Sequence, residues 1–135
     1  MRRAILIALV VVLTLATNAL ALRRPERRVA SKVNVARVNH DERRLDIGWR
    51  INRYAERQAR KMCRQHRLFH GTYGWPFQTA WGQVVGYGPS TRRVFRKFMR
   101  SAKHRAIILS HAYTHMGVGV AKAGGIMWVV VDFAG

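Results

Sequence analysis

The stretch KHRAIILSHAYTHMGVGV, Lys103 to Val120, holds three of the chain's six histidines, His104, His111 and His115. Imidazoles ligate transition metals and move protons near neutral pH, so chemistry is sought here first. Ser101 stands three residues before His104, the raw material of a serine–histidine nucleophile. No nucleophile elbow accompanies it, and a serine directly after a helix more often bonds backbone. Single loop histidines such as His111 and His115 are more often solvated than functional. The glycine pair Gly117 and Gly119 lacks the following helix that a phosphate loop needs. It reads as close backbone packing against a neighbouring strand, or as a bulge. Cys63, the only cysteine, has no thiol to pair with, so the fold must rest on packing.

The elements around these residues follow from periodicity. From Arg50 to Arg67, the residues Ile51, Ala55, Ala59, Met62, Cys63 and His66 recur at three-to-four spacing, with Arg53, Arg57, Arg60, Lys61 and Arg64 between them. That predicts an amphipathic helix with one buried stripe and one cationic face. Cys63 and His66 fall on the buried stripe, Cys63 as a filler and His66 as a packed imidazole. Ser31 is expected to cap an earlier helix reaching about Arg44, after a basic linker, Leu22–Ser31. The stretch GTYGWPFQTAWGQVVGYGPS predicts a structured loop with a short strand at Gln83–Val85. Ser90 and Thr91 offer a cap for a helix with Val94, Phe95, Phe98 and Met99 inside, and a short helical turn follows from His104 to Leu109. Two β-rich runs separated by Ala123-Gly124-Gly125 predict a hairpin. Met127 to Val131 is apolar without alternation, as in a strand covered on both faces. Helices on both sides of a sheet give an α+β fold, a three-layer α-β-α sandwich with a mainly antiparallel centre.

Residues 1–21 pair two arginines with an apolar run from Ala4 to Ala16 and a small-residue end, Ala19-Leu20-Ala21. They read as a secretory signal, which predicts a secreted, extracellular domain over 32–135. The rival reading is an uncleaved membrane anchor. The chain has 135 residues, 25 of them basic and six acidic; without Arg2 and Arg3 its formal charge falls from +19 to +17. Twenty of the 25 basic residues are arginine. Such excess favours anionic partners in low salt: anionic lipid, cell-wall polymer or another polyanion. No aromatic-interleaved basic stripe marks a specific nucleic-acid face.

Taken together, Val33-Asn34, Arg37, Leu45, Ala55, Ala59, Met62, Phe69-His70, then GQVVGYGPS, SAKHRAIIL, GVG and the closing hydrophobic strand resemble the bacterial SCP-like, or CAP, domains. The superfamily is named for cysteine-rich secretory proteins, antigen 5 and plant pathogenesis-related proteins. The resemblance covers roughly Val33 to Phe133 and implies an α-β-α sandwich whose cleft carries two histidines and, in many members, two acids. The histidines fall on His70 and His104. The acid of the family's Gly-Glu-Asn pattern falls on Gln83, and the second acid has no counterpart among Val94 to Arg100. His70, Gln83 and His104 are thus the implied cleft residues, with Trp75, Phe77, Trp81 and Tyr87 in or beside its loops.

Two imidazoles and a neutral amide are a poor set for a divalent metal such as zinc, which His70 and His104 would have to hold. Asp132, at the end of the last strand, has no place in the cleft on sequence grounds. The expectation is a non-enzymatic binding module for an anionic or amphipathic extracellular partner, with no assigned catalytic residue and a hydrogen-bonded histidine pair organising the cleft. The alternative is a divalent-metal-assisted hydrolase using His70 and His104.

Overall fold

The computed structural model describes residues 22–71 and 79–135. The export-signal reading of residues 1–21, and Trp75 and Phe77, lie outside that range. Among the described residues no helix is long and apolar enough to cross a membrane.

Helices α1 (Arg24–Val38), α2 (Trp49–Gln65), α3 (Thr91–Arg100) and α4 (Ala102–Ile108) surround strands β1 (Asp46–Ile47), β2 (Trp81–Gly88), β3 (His115–Ala123) and β4 (Ile126–Ala134). The sheet order is β1-β3-β4-β2, with only the two-residue β1 parallel to its neighbour. Strand β4 explains the layering. Its Val129, Val131 and Phe133 enter one core with Val29, Val33, Val94, Phe98 and Ile108, whereas Trp128 and Val130 enter a second with Ala55, Ala59 and Met62. Alternating side chains point to opposite faces of a sheet, so α2 covers one face and α1, α3 and α4 the other. The fold is α+β, as the unalternating apolar run implied.

The tight hairpin turns on Gly124 and Gly125, both at positive φ (55° and 76°), the conformation a two-residue type I′ loop demands. Gly117 and Gly119 serve helix packing and not strand packing. A Cβ on Gly119 would overlap the backbone of Ala55, and one on Gly117 the backbone of Ile51 and Asn52. Helix α2 therefore lies directly against β3, where Asn52 Oδ1 accepts from Val118 N at 2.9 Å.

Helix α1 departs from expectation. It begins at Arg24, inside the segment read as a linker, leaves Ser31 exposed in mid-helix, and stops at Val38, short of Arg44. Its buried stripe is Glu26, Val29, Ala30, Val33, Asn34 and Arg37, half of it polar, which hides the helical period. Each polar member finds a partner. Asn34 exchanges two hydrogen bonds with the backbone of Leu45, and the fully buried Arg37 donates to the carbonyls of Arg43, Ile108 and Ser110 at 2.7–2.8 Å. Burial lowers the Arg37 pKa, and Glu42 at 3.8 Å opposes that shift. Removing this guanidinium would orphan three carbonyls at once.

Candidate functional site

The site is built on β2, the outer strand of the sheet. The register sets Gln83 opposite Asp132 of β4, both on the face covered by α2. Gln83 is buried and every polar atom on its side chain is engaged. Its Oε1 accepts from Gly71 N (3.0 Å), Gln58 Nε2 (3.2 Å) and His70 Nδ1 (2.9 Å). Its Nε2 donates to Gln58 Oε1 (2.8 Å) and Asp132 Oδ1 (2.6 Å). The backbone N–H of Gly71 can only donate, which identifies the atom it meets as the oxygen, so His70 donates to it through Nδ1 and its Nε2 is the open nitrogen. Gln58, on the buried side of α2, also donates to Phe69 O at 2.8 Å and holds the loop that carries His70.

Asp132, like Gln58, is a site residue that sequence reasoning missed. It is fully buried, and its pKa is pushed up to about 7, by burial first and against the Gln83 hydrogen bond, which favours the ion. Its Oδ2 is buried without a hydrogen-bond partner. A proton on that carboxyl removes the larger cost of an unpaired buried charge. The partner that gives Asp132 its place lies 49 residues away, so no local motif could have signalled it.

His104 comes from the opposite layer. Ser101 caps α4, its hydroxyl accepting from His104 N at 3.4 Å, so it bonds backbone as a serine after a helix tends to. The half-buried imidazole packs on Phe98 with ring centroids 5.4 Å apart. Its pKa is lowered by burial first, then by the charges of His70 and Lys103. The charge of His70 is thus felt at His104. An open groove of about 280 Å³ runs over the outer edge of β2, lined by Leu68 and Val85 on one side and Val94, Phe98 and His104 on the other. His70 does not line this groove.

The remaining histidines do not join this site. His66 is exposed and ends α2 in a left-handed conformation (φ 48°, ψ 40°), which corrects its reading as a packed member of the buried stripe. His111 and His115 are exposed, and neither lines the groove. Tyr87 is partly exposed and stacks on Trp128 at 5.0 Å, while Trp81 is about half exposed. Cys63 is buried, as its place on the stripe required.

A resident zinc finds a poor fit. His70 has one nitrogen committed to Gln83, and Gln83 has no uncommitted donor or acceptor. Asp132 lies behind that amide. Among the described residues no three His, Cys, Asp or Glu side chains converge, against the three protein ligands that catalytic zinc takes.

Comparison with known proteins agrees with this architecture. The solved structure of an outer surface protein from Borrelia burgdorferi is similar at a TM-score of 0.74 and 16% identity, covering 83% of this chain and 92% of that one. Venom allergen-like protein 4 from Schistosoma mansoni gives 0.69 and 13%, covering 84% and 89%. An extracellular SCP-domain protein from Bacillus anthracis gives 0.71 and 15%, covering 82% of this chain and 40% of the larger protein. At such identities the likeness shows the fold alone. No curated protein sequence matches. The family profile described as cysteine-rich secretory protein family, CAP, matches residues 30–133, and the chain belongs to that family.

Proposed function

We propose that this chain is an exported, non-enzymatic binding module that engages an anionic, amphipathic partner outside the cell. The observation that carries the reading is the outer ridge of α2. Arg53, Arg57, Arg60, Lys61 and Arg64 are all exposed, and none of these five meets a carboxylate among the described residues. At 1.5 Å per residue the row runs for about 16 Å. The only acid on the helix, Glu56, accepts from Asn52. Like charges three or four residues apart each cost a helix about 0.2–0.5 kcal/mol, so the ridge opposes the fold that carries it. An external polyanion would turn that repulsion into attraction.

Apolar groups flank the ridge. Trp49 is 55% exposed at its start, and Leu68 is 40% exposed past its end. Arg50 lies over the Trp49 ring at 5.1 Å, and Lys61 and Arg67 over Phe69 at 5.5 Å. Such rings offer an apolar body beside the cationic heads, the combination that suits an acidic lipid surface or an acidic wall polymer with apolar substituents. The saturated Gln83 amide and the buried Asp132 leave the exposed His70 Nε2 as the open group of this cluster. Export is supported by the sequence of residues 1–21 and by structural relatives described as outer surface or extracellular proteins.

The test is co-sedimentation with vesicles containing acidic phospholipid, with insoluble cell wall and with DNA–cellulose, in rising salt. Retention on at least one at low ionic strength, released by salt, is expected. Failure to bind any of the three would refute the reading.

A further inference from the structure

A second groove lies at the far end of the sheet from the histidines. Strand β1 pairs with β3 only at His115 and Met116, so among the described residues no strand covers that edge of β3 from Gly117 onward. Arg23 reaches across it from the start of α1, donating to Val120 O at 3.0 Å and pairing with the buried Glu26. Between this arm and the second half of α2 is a depression of about 470 Å³. Its floor is apolar, with Cys63, Val120 and Met127, and its rim carries Arg60, Arg64 and Lys122. Among the described residues none of these three cations has a carboxylate partner, and the one acid beneath the arm is already paired with Arg23. Met127 and Asp132 are five residues apart on β4, about 17 Å at strand spacing, so this is not the His70–Gln83 site.

We propose that this edge groove binds a single-chain amphipathic phosphate, its phosphate seated among Arg60, Arg64 and Lys122 and its alkyl part along the Val120–Met127 floor. Three uncompensated cations from two elements match a multiply charged head better than a carboxylate, and guanidinium forks suit phosphate oxygens. An apolar floor beneath them selects an amphiphile over a free ion, and the volume falls in the range of small-ligand sites. The inference deepens the proposed function and rests on it, since it names one ligand class and one place for it.

The test titrates octyl phosphate, below its micelle concentration, into the purified protein, following heat and the Met127 methyl resonance. Inorganic phosphate and octyl glucoside are parallel probes. Saturable one-to-one binding of octyl phosphate is expected, with both other probes at least tenfold weaker. The double variant Arg64→Gln/Lys122→Gln should weaken it at least tenfold, while Arg92→Gln/Arg96→Gln, exposed on α3 and outside the groove, should leave it within twofold. Inorganic phosphate binding as tightly as octyl phosphate, or the groove variant binding like wild type, would overturn the assignment. Should octyl phosphate fail while the protein still sediments with acidic vesicles, the groove assignment falls and the broader reading stands. Should neither bind, both fall.

Discussion

Gln83 donates to Asp132 across 2.6 Å, from paired positions on β2 and β4, and with its oxygen accepts from His70. One neutral amide thus joins a buried acid to a histidine at the molecule's edge. Where the family pattern places an acid, this chain has a group that can donate to Asp132, which a carboxylate could not do.

Asp132 makes stability fall as pH rises. Its folded pKa, about 7, lies above the ordinary 3.8, so between those values the unfolded chain releases the proton while the folded chain keeps it. The unfolded state then binds fewer protons, and stability declines through that window by up to about 4 kcal/mol. Asp132→Asn keeps the acceptor for Gln83 and abolishes the titration. Urea melts at pH 4 to 8 should show this downward component for wild type and lack it in the variant, which keeps only the rise that His104 gives as pH climbs toward 6.5 and should be the more stable at pH 8.

Restoring an acid at position 83 should harm the fold. Gln83→Glu loses both donated bonds and sets a carboxylate against Asp132 Oδ1 and Gln58 Oε1. A cost of about 2–4 kcal/mol at pH 8 follows from unsatisfied buried acceptors and like-charge repulsion. The cost should shrink at pH 5, where the two carboxyls can share protons. Thermal melts at the two pH values check this.

The His104 imidazole should titrate below its ordinary 6.5, so its contribution to stability is complete above that pH and declines as pH falls below it. NMR titration should show His70→Gln raising the midpoint more than Lys103→Gln does, following the order of the two charge effects. Equal midpoints in wild type and both variants would mean that the rings do not sense each other.

Gly119→Ala should destabilise by about 3 kcal/mol, because the new methyl meets helix backbone, which cannot rotate away. At Gly124 the surroundings are open and only the positive φ opposes alanine, at a cost of about 1–2 kcal/mol. Chemical denaturation of the two variants should rank them in that order.

What could be read in the sequence was what local pattern encodes. The unbroken apolar run of β4 announced a strand covered on both sides, Gly124-Gly125 the hairpin, Ser90 a cap, and the α2 stripe a helix with one cationic face. What could not be read depends on distant partners. The polar half of the α1 stripe looks like linker until Asn34 meets Leu45 and Arg37 meets Ile108. His66 fits the helical period but falls one residue past the helix, where a left-handed turn leaves it exposed with its ring edge-on to Trp128 at 6.3 Å. His70, Gln83 and His104 were named through family resemblance. The role of Gln83 as a hub needed Gln58 and Asp132, which no motif joins to it.

The central claim is that the α2 ridge meets an anionic surface, and vesicle partitioning tests it most directly. Each basic residue near an acidic membrane contributes about 1 kcal/mol, so neutralising Arg53, Arg57, Arg60 and Arg64 to glutamine should weaken binding to phosphatidylserine vesicles by roughly a thousandfold at low salt. It should also flatten the fall of affinity with salt. A fourfold-neutralised protein that still folds, and that binds with wild-type affinity and salt dependence, would contradict the account.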